Sequence, residues 1–187
     1  MNMAFWTDVT DPKRKYNFQI SIGGAGNVKN YYAKTAAKPT FTLSSVEHNY
    51  LNHTYYYPGR VTWNDVTITF VDPGSGDDSA SKSFAEMLKA MGYSALNDEN
   101  DAASISKSKA VAATGIITIE QIDGEGASLD KWELRNAFIT EVNFGDLDYS
   151  SDDMVELSVT FKYDYATFTE GAANELFGIN DTPIGIA

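Results

Sequence analysis

The chain has no cysteine, and that absence removes disulfides, thiolate metal sites and cysteine nucleophiles at once. Histidine is almost missing: there are 2, His48 and His53. Along one strand that spacing puts them on opposite faces, so an ordinary zinc site would need a bend between them and added carboxylates. Long apolar runs are lacking too, and no uncharged stretch approaches the roughly 20 residues that span a bilayer. The start MNMAFWTDVTDPKRK has no apolar run of signal-peptide length, and Asp8 and Asp11 precede any base. These absences predict a soluble, unexported chain that folds in a reducing cytoplasm.

Positive charge is scarce: 14 Lys and Arg stand against 26 Asp and Glu, for a net charge of −12. A nucleic-acid groove works by replacing phosphate counterions with Lys and Arg, and this balance argues against one. The charge is uneven, at +4 over residues 1–60 and −16 over residues 61–187. Such a chain can present complementary surfaces, or simply be well solvated.

Alternating strands fill most of the rest. Val155, Leu157, Val159, Phe161, Tyr163 and Tyr165 alternate with Glu156, Ser158, Thr160, Lys162 and Asp164, which predicts a long half-buried strand with one polar face. Tyr16, Phe18, Ile20 and Ile22 alternate in the same way, and glycines end that run. Further strands are predicted over 40–46, 51–57, 61–71, 114–122 and 131–144. In the third of these the apolar phase changes after Trp63, which predicts a bulge near Asn64 and Asp65. Phe84, Met87, Leu88 and Met91 have the spacing of an amphipathic helix, with Asp78, Ser79 or Ser81 as its cap and Gly92 as its stop. Residues 94–110 are polar, small and unpatterned, which predicts a long mobile surface loop. The length suits one domain over 1–187, with a short tail after 170.

Sites of chemistry are hard to find. DPGSGDD lacks the Lys-Ser or Lys-Thr ending of a phosphate loop. The acids Asp146, Asp148, Asp152 and Asp153 invite a calcium loop, but the sixth and twelfth positions from Asp146 are Ser151 and Leu157, where Gly and Glu are needed. With 26 acids, close carboxylate pairs are inevitable and no one pair marks a hydrolase. The expectation is no enzyme, no cofactor and no metal.

HTYYYPGRVTW, from His53 to Trp63, is the most unusual stretch. Successive strand side chains point to opposite faces, so Tyr55, Tyr56 and Tyr57 load both faces at once. Either the protein itself covers both, or one face awaits a partner. Arg60, in the adjoining Pro-Gly-Arg turn, joins the three tyrosines as a candidate subunit contact.

The order of segments now becomes informative. DPKRKYNFQISIGG, then KPTFTLSSVEHNYLNHTYYYPGRVTWNDVTITFVDP, a helix, and GIITIEQIDGEGASLDKWELRNAFITEVNFGDLDYSSDDMVELSVTFKYDYATF resemble the tail tube proteins of contractile-tailed bacteriophages. The likeness spans roughly residues 11–168. It is carried by Pro-Gly-Arg before a strand tryptophan, Trp132 after the IDGEG turn, and the closing YDYA strand.

The resemblance implies a mainly β fold of two packed, mostly antiparallel sheets with one flanking helix, similar to the haemolysin-coregulated protein of type VI secretion. It implies sixfold rings in which neighbouring strands join into one inner barrel. The rings stack into a tube inside a contractile sheath, with tail sheath, baseplate and tail-terminator proteins as partners. DNA would pass through the lumen unbound, and the subunit would assemble in the host bacterial cytoplasm and end in the virion. Glu156, Ser158, Thr160, Lys162 and Asp164 are then candidates for the lumen face. Two alternatives stand beside this: the tube protein of a phage-like injection or type VI secretion system, and a monomeric β-sandwich whose tyrosines stack on sugars.

Overall fold

The computed structural model describes residues 12–25, 32–73, 79–93 and 104–171, together with the backbone of Asn174–Phe177. Two antiparallel sheets enclose the core. One has five strands in the order β1 (Phe18–Ile22), β6 (Ile117–Ile122), β7 (Ser128–Arg135), β10 (Tyr165–Glu170), β11 (Asn174–Phe177). The other has four, in the order β2 (Ala33–Ala36), β5 (Val66–Val71), β9 (Glu156–Lys162), β8 (Phe138–Asn143). A separate two-stranded ribbon, β3 (Phe41–Tyr50) with β4 (His53–Trp63), leaves the four-stranded sheet.

Alternation explains the layers. Val66, Ile68 and Phe70 on β5 and Leu157, Val159 and Phe161 on β9 all point inward and are fully buried, facing Ile117, Ile119 and Leu134 of the other sheet. The helix α1 (Ala80–Ala90) adds Ala80, Phe84 and Met87, with Phe84 packed on Phe70 at a ring separation of 5.3 Å. Ser79 caps it by accepting from the Lys82 amide, and Asp72 accepts from the Ala80 amide and the Ser81 hydroxyl, so two orphan donors of the first turn are met.

Three expectations need correction. Residues 107–110 begin a second helix, α2 (Lys107–Thr114), where a loop was predicted. It buries Ala110, Ala113 and Thr114, and alanine at this spacing carries no amphipathic signal even when the helix packs closely. The rest of the predicted mobile loop, 94–103, lies outside the described residues.

The predicted single strand over 131–144 is two strands in different sheets, divided at Asn136, whose φ is 56°. The strand from Val155 likewise crosses sheets between Lys162 and Tyr165. In the sequence the apolar phase of Leu134 resumes at Phe138 and that of Phe161 at Tyr163 and Tyr165, so the crossings leave little trace in the pattern.

Together β7–β8 and β9–β10 form one long bent ribbon, pairing Glu170 with Asp130 at one end and Ser158 with Asn143 at the other. Asp164 staples the bend. Its carboxylate accepts from Lys107 Nζ at 2.7 Å and Asn136 Nδ2 at 2.9 Å, and its amide donates to the Arg135 carbonyl.

The staple has a measurable consequence. The bonds from Lys107, then from Asn136, hold the Asp164 carboxyl below its ordinary value. A depressed carboxylate contributes stability that is complete above about pH 4 and is lost as pH falls through the folded value. In Lys107→Gln the Asp164 midpoint should rise toward its ordinary value, while that of Asp148, held down by the Ser150 amide and hydroxyl, stays put. Carboxyl chemical shifts followed against pH report both groups. An unmoved Asp164 midpoint would mean that the staple does not form.

Among the described residues no helix is long and apolar enough to cross a membrane.

Candidate assembly surfaces

Every residue from Phe41 to Thr62 is exposed. An isolated two-stranded hairpin is marginal in water at best, and this one exposes both faces. Tyr55, Tyr56 and Tyr57 therefore belong to no core of this chain; they are 50%, 65% and 56% exposed.

Register assigns the faces. Val46 pairs with Tyr57, His48 with Tyr55 and Tyr50 with His53, so these six share one face, while Tyr56 lies opposite Glu47 on the other. The histidines, expected on opposite faces, thus share one. The hairpin turn at Leu51–Asn52 folds His53 back beside His48, and Leu51 takes a φ of 51° to make that turn. Among the described residues no three His, Cys, Asp or Glu gather as metal ligands.

The apolar stripe changes side partway along. Near the root, Phe41 pairs with Trp63 and Leu43 with Val61, on the face that bears Ser45, Glu47 and Asn49 further out. The switch coincides with a bulge where Gly59 and Arg60 stand against Ser44. The Ser44 hydroxyl accepts from the Arg60 amide at 2.8 Å, and a Cβ on residue 59 would lie 2.2 Å from that oxygen, so any larger residue there would push the hydroxyl out of this bond. The bulge predicted at Asn64–Asp65 is instead where the chain leaves the ribbon for β5. Arg60 occupies the bulge itself.

Aromatic contact anchors the root. Trp63 meets Phe41 edge-on at 5.3 Å and Tyr163 at 5.9 Å. Burial, then the Asp65 carboxylate, pushes the Tyr163 phenol up to about 12, so it stays a neutral packing group at any physiological pH.

The second surface is the outer face of the four-stranded sheet. Thr35, Thr69, Ser158 and Asn143 make one row across it, and Thr67, Thr160 and Glu141 the next. The hydroxyls of Thr67 and Thr160 are 3.1 Å apart and share a hydrogen bond. Charge on this face is largely matched, Glu156 by Lys34 and Lys162 by Asp65. Of the five lumen candidates, Glu156, Ser158, Thr160 and Lys162 lie on β9. Asp164 does not: it sits in the turn beyond and serves as the staple already described.

The third surface shows in the sequence only as a group of acids. Residues 144–155, the loop of the bent ribbon, expose Leu147, Tyr149 and Met154 among Asp146, Asp148, Asp152 and Asp153. Gly145, at a φ of 81°, turns the chain into the loop.

Solved structures share this fold. A chain of the anti-feeding prophage tube-terminating cap covers 91% of this chain and 100% of its own length at a TM-score of 0.64 and 18% identity. The chain has the fold found in contractile injection assemblies. A component of the sheath-tube complex of an extracellular contractile injection system matches at TM-score 0.62 and 18% identity, covering 87% of this chain and 94% of its own. A component of the sixfold-symmetrised anti-feeding prophage baseplate matches at 0.62 and 12%, covering 86% and 97%. No protein-family model matches the sequence. No curated protein matches it either.

Proposed function

We propose that this chain is the subunit of a contractile-tail tube, a structural and non-catalytic protein that forms sixfold rings stacked into a conduit. The observation that carries the proposal is the β3–β4 ribbon: a long hairpin wet on both faces, rich in tyrosine, and anchored at its root by Trp63 against Phe41 and Tyr163. Tyrosine suits a subunit contact because it buries a large ring while keeping a hydroxyl for a wet rim.

The four-stranded sheet supports closure. Among the described residues its edges, β2 and β8, each have one hydrogen-bonded neighbour, and its strands alternate in direction. Because four is even, β8 of one copy meets β2 of the next antiparallel, and a closed ring has no open edge. The hydroxyl-rich outer face then lines the lumen, where matched charge lets a polyanion such as DNA slide without sticking. Sheath, baseplate and terminator proteins are the further partners, and assembly takes place in the host bacterial cytoplasm.

Virion and injection-system tubes share this geometry. The matched assemblies are described as injection systems, which favours that origin as a second reading.

Electron microscopy of the concentrated protein tests the proposal. Rings about one subunit high, or tubes, are expected. A protein that stays monomeric at every concentration and binds oligosaccharide through its tyrosines would overturn it in favour of a sugar-binding sandwich.

A further inference from the structure

The hairpin and the acidic loop leave opposite ends of the same sheet. On β5 the hairpin enters at Val66, which pairs with Phe161, whereas the loop connects Asn143 to Glu156 beside Val71, at the far end. The two roots stand at the first and last of the six residues of β5, a rise of about 17 Å. Each end thus carries an exposed apolar patch. Leu51 at the hairpin turn and Leu147 in the loop are both 86% exposed.

Their polar chemistry is complementary as well. The aromatic face of the hairpin holds no carboxylate; it offers the phenol donors of Tyr50, Tyr55 and Tyr57 and the imidazoles of His48 and His53. The loop offers four aspartates and no basic residue. Phenol and imidazole N–H and O–H groups donate, and carboxylates accept. Two unlike surfaces at opposite ends of one subunit make a heterologous contact that does not close on itself, which generates a filament.

We propose that loop 144–155 of one copy is the seat for the β3–β4 hairpin of a second copy in the adjacent ring. This rests on the tube reading and names the segment that receives the hairpin.

The test uses two full-length variants, each checked for an unchanged melting temperature. Tyr55→Ser/Tyr57→Ser disables the hairpin and keeps the loop; Leu147→Ser/Tyr149→Ser disables the loop and keeps the hairpin. Alone, neither should elongate beyond single rings. Mixed, they should form particles of two stacked rings and stop there, because one good hairpin ring meets one good loop ring. Long tubes from the loop variant alone, or no two-ring particles in the mixture, would overturn the seat while leaving rings, and so the tube reading, intact. Wild-type protein that makes no ring at all would overturn the tube reading itself.

A second measurement stands free of folding losses. Because the chain has no cysteine, Tyr50→Cys with Tyr149→Cys in one chain supplies its only thiols, and the two single-cysteine variants, each expected to stay monomeric on oxidation, control for like-with-like cross-links. Tubes of the double variant should give a ladder of disulfide-linked oligomers on oxidation, and tubes that give monomers alone would overturn the seat.

Discussion

Tyr55→Ser with Tyr57→Ser should leave the subunit folded and able to form single rings while raising the concentration needed for tube assembly several-hundred-fold. Both rings stand on one exposed face beside Val46 and Tyr50, so the monomer loses little: a surface substitution away from the core costs within about 0.5 kcal/mol. An aromatic anchor at an interface is worth about 2 kcal/mol or more, and two of them about 4, where each 1.4 kcal/mol is tenfold. Tyr56→Ser should do less, since Tyr56 shares the opposite face with Glu47, Asn49 and Thr54. Thermal unfolding and light scattering against concentration separate the two quantities. A double variant that melts many degrees lower would place these tyrosines in folding, and one that assembles at the wild-type concentration would remove them from the interface.

How much of this was legible in the sequence depends on which residues carry the signal. Strand existence was plain wherever one face packs, as on β9, because Leu157, Val159 and Phe161 alternate strictly with polar side chains. The sheet crossings were not, since Asp164 falls in the polar phase of its run and Asn136 is a single polar gap in an apolar phase that Phe138 resumes; only the bend reveals them. The helix α2 was silent because its buried side chains are alanine and threonine, whose close approach depends on neighbours far away in sequence. Gly115 shows the same dependence: a Cβ there would lie 2.6 Å from the Gly23 backbone, a contact 92 residues distant that no local pattern announces.

The candidate surfaces divide similarly. Three adjacent tyrosines advertise two loaded faces, so the hairpin could be singled out from composition and period alone. Its side-switching stripe could not, because that follows from a bulge at Gly59–Arg60 set by register with Ser44. In the sequence the loop 144–155 shows only its acids, which read as a solvated turn. Leu147, Tyr149 and Met154 are ordinary core candidates in a sequence, and only their exposure makes them unusual.

The outer face of the four-stranded sheet yields the second large effect. Ser158→Lys adds one positive charge between Thr69 and Asn143 and removes no apolar contact, so rings and tubes should form as before. If that face lines a sixfold lumen, the lysine recurs six times per ring and again at every ring along the tube. Wild-type tubes, with the charges of this face largely paired, should release a short labelled single-stranded DNA at any salt. Variant tubes should hold it at low salt.

Retention must then fall steeply as salt is added, because each neutralised phosphate contributes about −0.7 to the logarithmic slope for single strands. With about five lysines engaged, affinity drops roughly a hundredfold between about 50 and 200 mM salt. A surface on the outside of the tube would also bind DNA electrostatically, so accessibility decides the case. Nuclease added after loading should digest strands bound outside and spare those within. Complete digestion from intact variant tubes would place this face outward and pass the lumen to the other sheet, whereas protected, salt-released DNA is the outcome expected of a lining built from Thr35, Thr67, Thr69, Ser158 and Thr160.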